Sequence, residues 1–163
     1  ELDHIKKLLK NFKRKKIIIN KNNLGVAKSR NIAIIARGPL ASGLLSGTID
    51  KKTVFAPSDH RNYNISGKAF NIGDTFSGIP LEASMKAIKK LKKLLPNNYS
   101  LINLAINWIL MSKEISVTIP GATNPLQVEL CASSSGMRPI NNLMNEIEDI
   151  YSELILPHID PRW

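Results

Sequence analysis

The spacing of apolar residues divides the chain into stretches of different period. Ile17-Ile18-Ile19 is a short β-branched run suited to a buried strand, and Asn20 to Asn23 break it. Leu24 to Arg30 has room for one or two helical turns. After it, Ile32-Ala33-Ile34-Ile35-Ala36 is a continuous apolar run of strand length, the pattern of a parallel strand covered on both faces. Gly38, Pro39, Gly43 and Gly47 end it.

From Thr48 to Pro80 no period holds, and turn residues mix with the aromatics Phe55, Tyr63, Phe70 and Phe76. A segment this long either forms a functional wall or is pinned down by those rings. Helical spacing then returns. Leu81, Met85, Ile88, Leu91 and Leu95 form one stripe, lysines occupy the other face, and Pro96 closes the segment. Ser100 is placed to cap a second helix with Leu101, Leu104, Ala105, Trp108 and Met111 on its core face.

Ser116 to Ile119 reads as a strand ended by Pro120-Gly121, and Asn124-Pro125 as a helix start, running to about Ser134. Leu143, Ile147, Ile150, Tyr151, Leu154 and Ile155 mark a last amphipathic helix stopped by Pro157. The order strand, long loop, two helices, strand, helix, helix is that of an α/β fold, and no internal repeat is visible.

Two glycine-containing loops therefore follow strands directly. Gly38 and Gly43 let a ligand approach the backbone, and Ser42 adds a hydroxyl. The second loop is the stronger anion site, because a capped helix with a partly positive end starts beside Gly121. Thr123 supplies a hydroxyl there, and Gln127 lies one turn into the helix.

The chain of 163 residues carries a formal net charge of +10, which would suggest nucleic acid were it spread over the whole molecule. It is concentrated at one end. Residues 1–30 hold ten Lys or Arg against two acids, and residues 31–163 hold thirteen against eleven. The lysine-rich start, with Leu8, Leu9 and Phe12 interleaved, fits a solvated helix with one apolar stripe. It lacks the interleaved aromatics of a nucleic-acid reader, so no nucleic-acid partner is expected.

A lone Cys131 excludes an internal disulfide and fits a cytoplasmic, reducing setting; with Val128 and Ala132 beside it, it reads as a core residue. No apolar run is long enough to span a membrane, and no membrane partner is expected. His4, His60 and His158 lie far apart without ligand-spaced partners, so no metal site is assigned.

Ile34 to Gly47 and Ile119 to Glu129, joined by Asp59-His60-Arg61-Asn62-Tyr63-Asn64, the helix from Leu104 to Leu110 and the close Pro157 to Trp163, resemble the aldo-keto reductases. The resemblance runs over residues 24–163 and implies the C-terminal half of an NADP-dependent oxidoreductase barrel, a partial TIM (β/α)8 fold. A whole barrel needs roughly 250 residues. Residues 1–23 form a separate basic segment outside the resemblance, and a chain starting on Glu1 reads as truncated or processed.

The resemblance implies reduction of aldehydes or ketones by NAD(P)H. Gly38, Leu40 and Ser42 would take the pyrophosphate, and Gly121, Ala122, Thr123 and Gln127 the adenosine part. NADP(H) is the family's commoner cofactor, with NAD(H) the alternative, since no arginine lies between Thr123 and Cys131 to read a 2′-phosphate. Arg37 stands where many members carry an aromatic that stacks on nicotinamide, and Leu130 and Cys131 replace the Glu-Asn pair that holds adenine. The family's catalytic Tyr, Asp, Lys and His belong to the other half of the barrel, so no catalytic residue is assigned here and Tyr63 is not given that role. The expected partners are a small-molecule carbonyl substrate and either an N-terminal half or a second copy. The rival reading is a non-catalytic remnant or partner-binding half-barrel.

Overall fold

A computed structural model describes residues 21–70 and 72–159, so the expected strand at Ile17–Ile19 and the basic helix before it lie outside the described residues. Helix α1 spans Lys21–Ser29. It buries Leu24 and Ala27 against Ile34, with Ile32 and Ile115 packed beside them. Asn31, in the left-handed region (φ 56°), ends it, and the Ile32 N–H donates back to the Ala27 carbonyl at 2.9 Å. That bond explains a difference from the sequence expectation. The front of the Ile32–Ala36 run is spent on capping α1, and strand β1 is Ile35–Arg37.

Strand β2, Val117–Ile119, lies parallel to β1 with Ile35 opposite Val117, Ala36 opposite Thr118 and Arg37 opposite Ile119. Below the strands, the Ile34 N–H donates to Ser116 Oγ at 3.2 Å and the Ser116 N–H to the Ile34 carbonyl at 3.0 Å. Thr118 Oγ1 donates to the Ala36 carbonyl. The expected two-faced cover is absent among the described residues. Ile35, Val117 and Ile119 are 59%, 43% and 53% exposed, and with Arg37 they form one open, mostly apolar face.

The main core is helical. Short helix α2 covers His60–Tyr63, α3 Leu81–Leu94, α4 Leu101–Leu110, α5 Pro125–Ser134 and α6 Met144–Leu154. Leu44, Ile49, Phe76, Ile88, Leu101, Leu104, Ile140 and Ile147 form its buried centre. Stripe α3 turns Ser84, Ala87 and Ile88 inward, faces α6, and joins it through Lys90 Nζ to Glu153 at 2.6 Å. Helix α4 is buried almost all round, as its composition demands. Its first turn is closed by a reciprocal cap between Ser100 and Asn103.

A polar clamp fixes α5 on α4. Asn103 Nδ2 donates to Ser134 Oγ at 2.9 Å, Asn107 Nδ2 donates to the Ser134 carbonyl at 2.8 Å, and Ser134 Oγ donates to the Leu130 carbonyl at 2.8 Å. Ser134 is completely buried. The inward stripe of α5 is thus Gln127, Leu130, Cys131 and Ser134, while Val128 and Ala132 face solvent. Cys131 is buried, as expected, but it lies on that inward stripe and not among those two neighbours.

The segment between Thr48 and Pro80 is neither a bare loop nor a regular element. It carries α2 and 3-10 turns at Ile72–Asp74 and Phe76–Gly78. Phe76, only 2% exposed, sits in the core with the Phe55 ring 6.0 Å away, so those two aromatics pin the segment. Tyr63 and Phe70 meet edge to face at 6.0 Å on the outer side.

Candidate functional site

Parallel pairing in register makes both glycine loops leave the same end of the sheet, Gly38 after Arg37 and Pro120-Gly121 after Ile119. In a β/α arrangement that end is where ligands bind. Gly38 has φ +69° with open space where a Cβ would lie, so its need for glycine is conformational. The chain then makes a left-handed turn through Ala41, Ser42 and Gly43 (φ 47°, 58° and 94°) inside the 3-10 segment Ala41–Ser46. Bonds from Gly43 N–H and Leu45 N–H to the Leu40 carbonyl, at 2.9 and 3.1 Å, close it.

Leu40 and Ser42 are half-buried. Ser42 Oγ accepts from the Phe76 N–H at 3.4 Å, and its own proton has no acceptor among the described residues. Arg61 is a neighbour of this loop that sequence reading did not single out. A Cβ on Gly43 would lie 3.5 Å from Arg61 Nη1. The guanidinium is held by Asp59, through Nε to Oδ1 at 3.0 Å and Nη2 to Oδ2 at 2.6 Å, and lies 4.5 Å over the Phe55 ring. The side-chain and backbone hydrogen bonds from Arg61 pull the Asp59 carboxyl down to about 2. Asp59 also caps α2, accepting the Arg61 N–H at 2.8 Å, and that Asp-x-Arg helix start was the signal available in the sequence.

At the second loop Gly121, Ala122 and Thr123 are exposed, and a Cβ on Gly121 would meet nothing within 4 Å. Asn124 caps α5 by accepting the Gln127 N–H at 3.0 Å, and Pro125 occupies the first turn, as expected. Gln127 Oε1 takes both the Thr123 N–H, at 2.7 Å, and the Thr123 hydroxyl, at 3.1 Å. Both bonds use Gln127 Oε1, and no partner of Gln127 Nε2 stands among the described residues. One turn on, Leu130 is half-buried and Cys131 buried, its thiol pushed up by burial, so neither offers a hydrogen bond to a base. Arg37 is exposed on the open sheet face.

The family model for the aldo/keto reductases matches residues 8–151. The chain belongs to the aldo/keto reductase family. This member is similar to aldo-keto reductase YhdN of Bacillus subtilis (strain 168), with 26% identity over 142 residues, 86% of the chain and 40% of that protein. Its fold is similar to that of the glycerol dehydrogenase AKR11B4 from Gluconobacter oxydans, at TM-score 0.68 and 25% identity, over 89% of this chain and 42% of that one. The holo form of aldo-keto reductase AKR11C1 from Bacillus halodurans matches in fold at TM-score 0.51 and 17% identity, over 81% and 37% of the two chains. The chain thus spans about two fifths of the length of these relatives.

Among the described residues no helix is long and apolar enough to cross a membrane, and no three His, Cys, Asp or Glu side chains are grouped to hold a metal ion.

Proposed function

We propose that residues 24–163 are the C-terminal half of an aldo/keto reductase (β/α)8 barrel and carry the grip on NADP(H), or alternatively NAD(H), for reduction of an aldehyde or ketone. Residues 1–23 precede that unit as a basic segment. The observation that supports this reading is the in-register parallel pairing of β1 with β2, from which the loops beginning at Gly38 and Gly121 leave the same end of the sheet. Ser42, Gly38 and Leu40 would hold the pyrophosphate, with the Arg61 cation near Gly43. Gly121, Ala122, Thr123 and Gln127 would hold the adenosine side at the positive end of α5.

Open space at Gly121 and the unclaimed Ser42 proton fit a dinucleotide; Leu130 and Cys131 do not fit an adenine ring held by hydrogen bonds. A bound nicotinamide supplies hydride, and proteins position it. No residue of this chain is assigned a catalytic role.

A second reading, a non-catalytic half-barrel that binds a partner, draws on the open face of Ile35, Val117 and Ile119. Apolar strands exposed in this way favour association with another chain. Thermal unfolding of the chain with and without excess NADPH or NADH separates the two. Stabilisation by the dinucleotide supports the cofactor half, because a ligand of the folded state raises the midpoint. An unmoved midpoint refutes it.

A further inference from the structure

The turn that meets Ser42 is itself held by a small buried relay. Asn64 is completely buried, and its Oδ1 accepts the N–H groups of Ala69, at 3.0 Å, and Phe70, at 2.9 Å. Backbone N–H groups only donate, so the amide orientation is fixed and Nδ2 must be the donor to Thr75 Oγ1, 3.1 Å away. Thr75 is 1% exposed, and its hydroxyl proton needs an acceptor. Among the described residues the acceptor in reach is His60 Nδ1, at 3.3 Å. That nitrogen accepts only when the imidazole is neutral with its proton on Nε2.

Thr75 leads straight into Phe76 and Ser77, two non-glycine residues in the left-handed region (φ 47° and 60°), and the Phe76 N–H reaches Ser42. Backbone of this kind persists only when its surroundings hold it. We propose that His60 is a positioning residue: neutral, it accepts the Thr75 proton and holds the Thr75–Gly78 turn on the first glycine loop, and protonated, it releases that turn.

Protonation puts a second donor where the Thr75 hydroxyl needs its acceptor, and a buried hydroxyl is left without one. The charged groups near His60 on its own turn are Asp59 and Arg61, which are engaged with each other. Across from it stand the neutral Thr75 and the Phe70 ring at 6.3 Å, with exposed Asp74 preceding Thr75. The Asp59 carboxyl, held at about 2 by its bonds from Arg61, stays charged between about pH 5.5 and about pH 7.5 and does not contribute a change there.

The structural part of this inference stands apart from the cofactor reading; its effect on NADPH affinity rests on it. The experiment is NMR on the full ¹⁵N-labelled chain. Ring ¹⁵N shifts of His60 read the tautomer, and protection factors of the Ala69 and Phe70 amides read the relay between about pH 7.5 and about pH 5.5. The expected result is an Nε2–H ring and protection that falls about tenfold on acidification, the scale of one hydrogen bond.

His60→Asn, whose side-chain oxygen accepts at any of these pH values, should keep protection throughout, and Thr75→Val should lose it throughout. An Nδ1–H neutral ring, a pH-independent wild type, or a His60→Asn chain that loses protection like the wild type overturns the proposal. NADPH titrations at the two pH values then test the coupling. Weaker binding at low pH in the wild type alone supports it, and equal pH dependence in wild type and His60→Asn refutes it. No NADPH binding at either pH sinks the cofactor reading and leaves the relay to be judged by NMR.

Discussion

Ser134→Ala isolates the energy of the α4–α5 clamp, because a neighbouring serine supplies its own control. Ser133 and Ser134 both donate to the Leu130 carbonyl, at 3.0 and 2.8 Å, but Ser133 is exposed while Ser134 is completely buried and also accepts from Asn103 Nδ2. Removing the Ser134 hydroxyl leaves the Leu130 carbonyl its bond from Ser133, whereas the buried Asn103 donor loses its partner. An unsatisfied buried donor of this kind costs about 1–3 kcal/mol, and loss of an exposed hydroxyl stays within about 0.5 kcal/mol. Urea unfolding followed by circular dichroism should therefore show Ser134→Ala destabilised by about 2 kcal/mol with an unchanged slope, and Ser133→Ala close to wild type. Equal effects for the two variants would refute the argument, since burial would then not decide what the same bond is worth.

Asp59→Asn keeps a capping side chain on α2 and removes the charge facing Arg61. The carboxyl drops from 3.8 to about 2 on folding, so its contribution is complete above the unfolded value and lost as pH falls through the folded one. With side chains 32% and 22% exposed, solvent screening reduces the contribution to about 1 kcal/mol; wild type and variant should differ by that amount at neutral pH and converge in acid, read from urea midpoints. Gly43→Ala forces a Cβ at φ +94° and should cost about 1–2 kcal/mol and weaken NADPH binding, measured by thermal shift with and without ligand. Asn124→Ala removes the α5 cap and should cost about 1 kcal/mol, with a parallel loss of dinucleotide affinity by calorimetry.

Features set by chemistry within one turn were legible in the sequence. Ser100 and Asn124 are caps because their oxygens reach an N–H three residues on, and the α3 and α6 stripes follow the helical repeat. Gln127 beside Thr123 was legible for the same reason. What could not be read depends on distant segments. The core role of Cys131 was inferred from Val128 and Ala132, yet the position of α4 decides which side of α5 is buried. Ile35 looked like a two-sided core position, but its outer face is open among the described residues. Arg61 beside Gly43, and Asn64 with Thr75, come together through tertiary folding of a segment that has no period.

The sheet also predicts an order of assembly. Thr118 and Ala36 are 82 residues apart in sequence, so β1 and β2 meet only after the loss of a long stretch of chain entropy. Packing of α4 on α5 and of α3 on α6 spans shorter separations and would narrow that search before the strands pair. Pairing that comes late and covers only three residues per strand is also the first to open. The loops that would hold a dinucleotide hang from this last-formed junction, so a ligand bridging them would act as the final staple of folding.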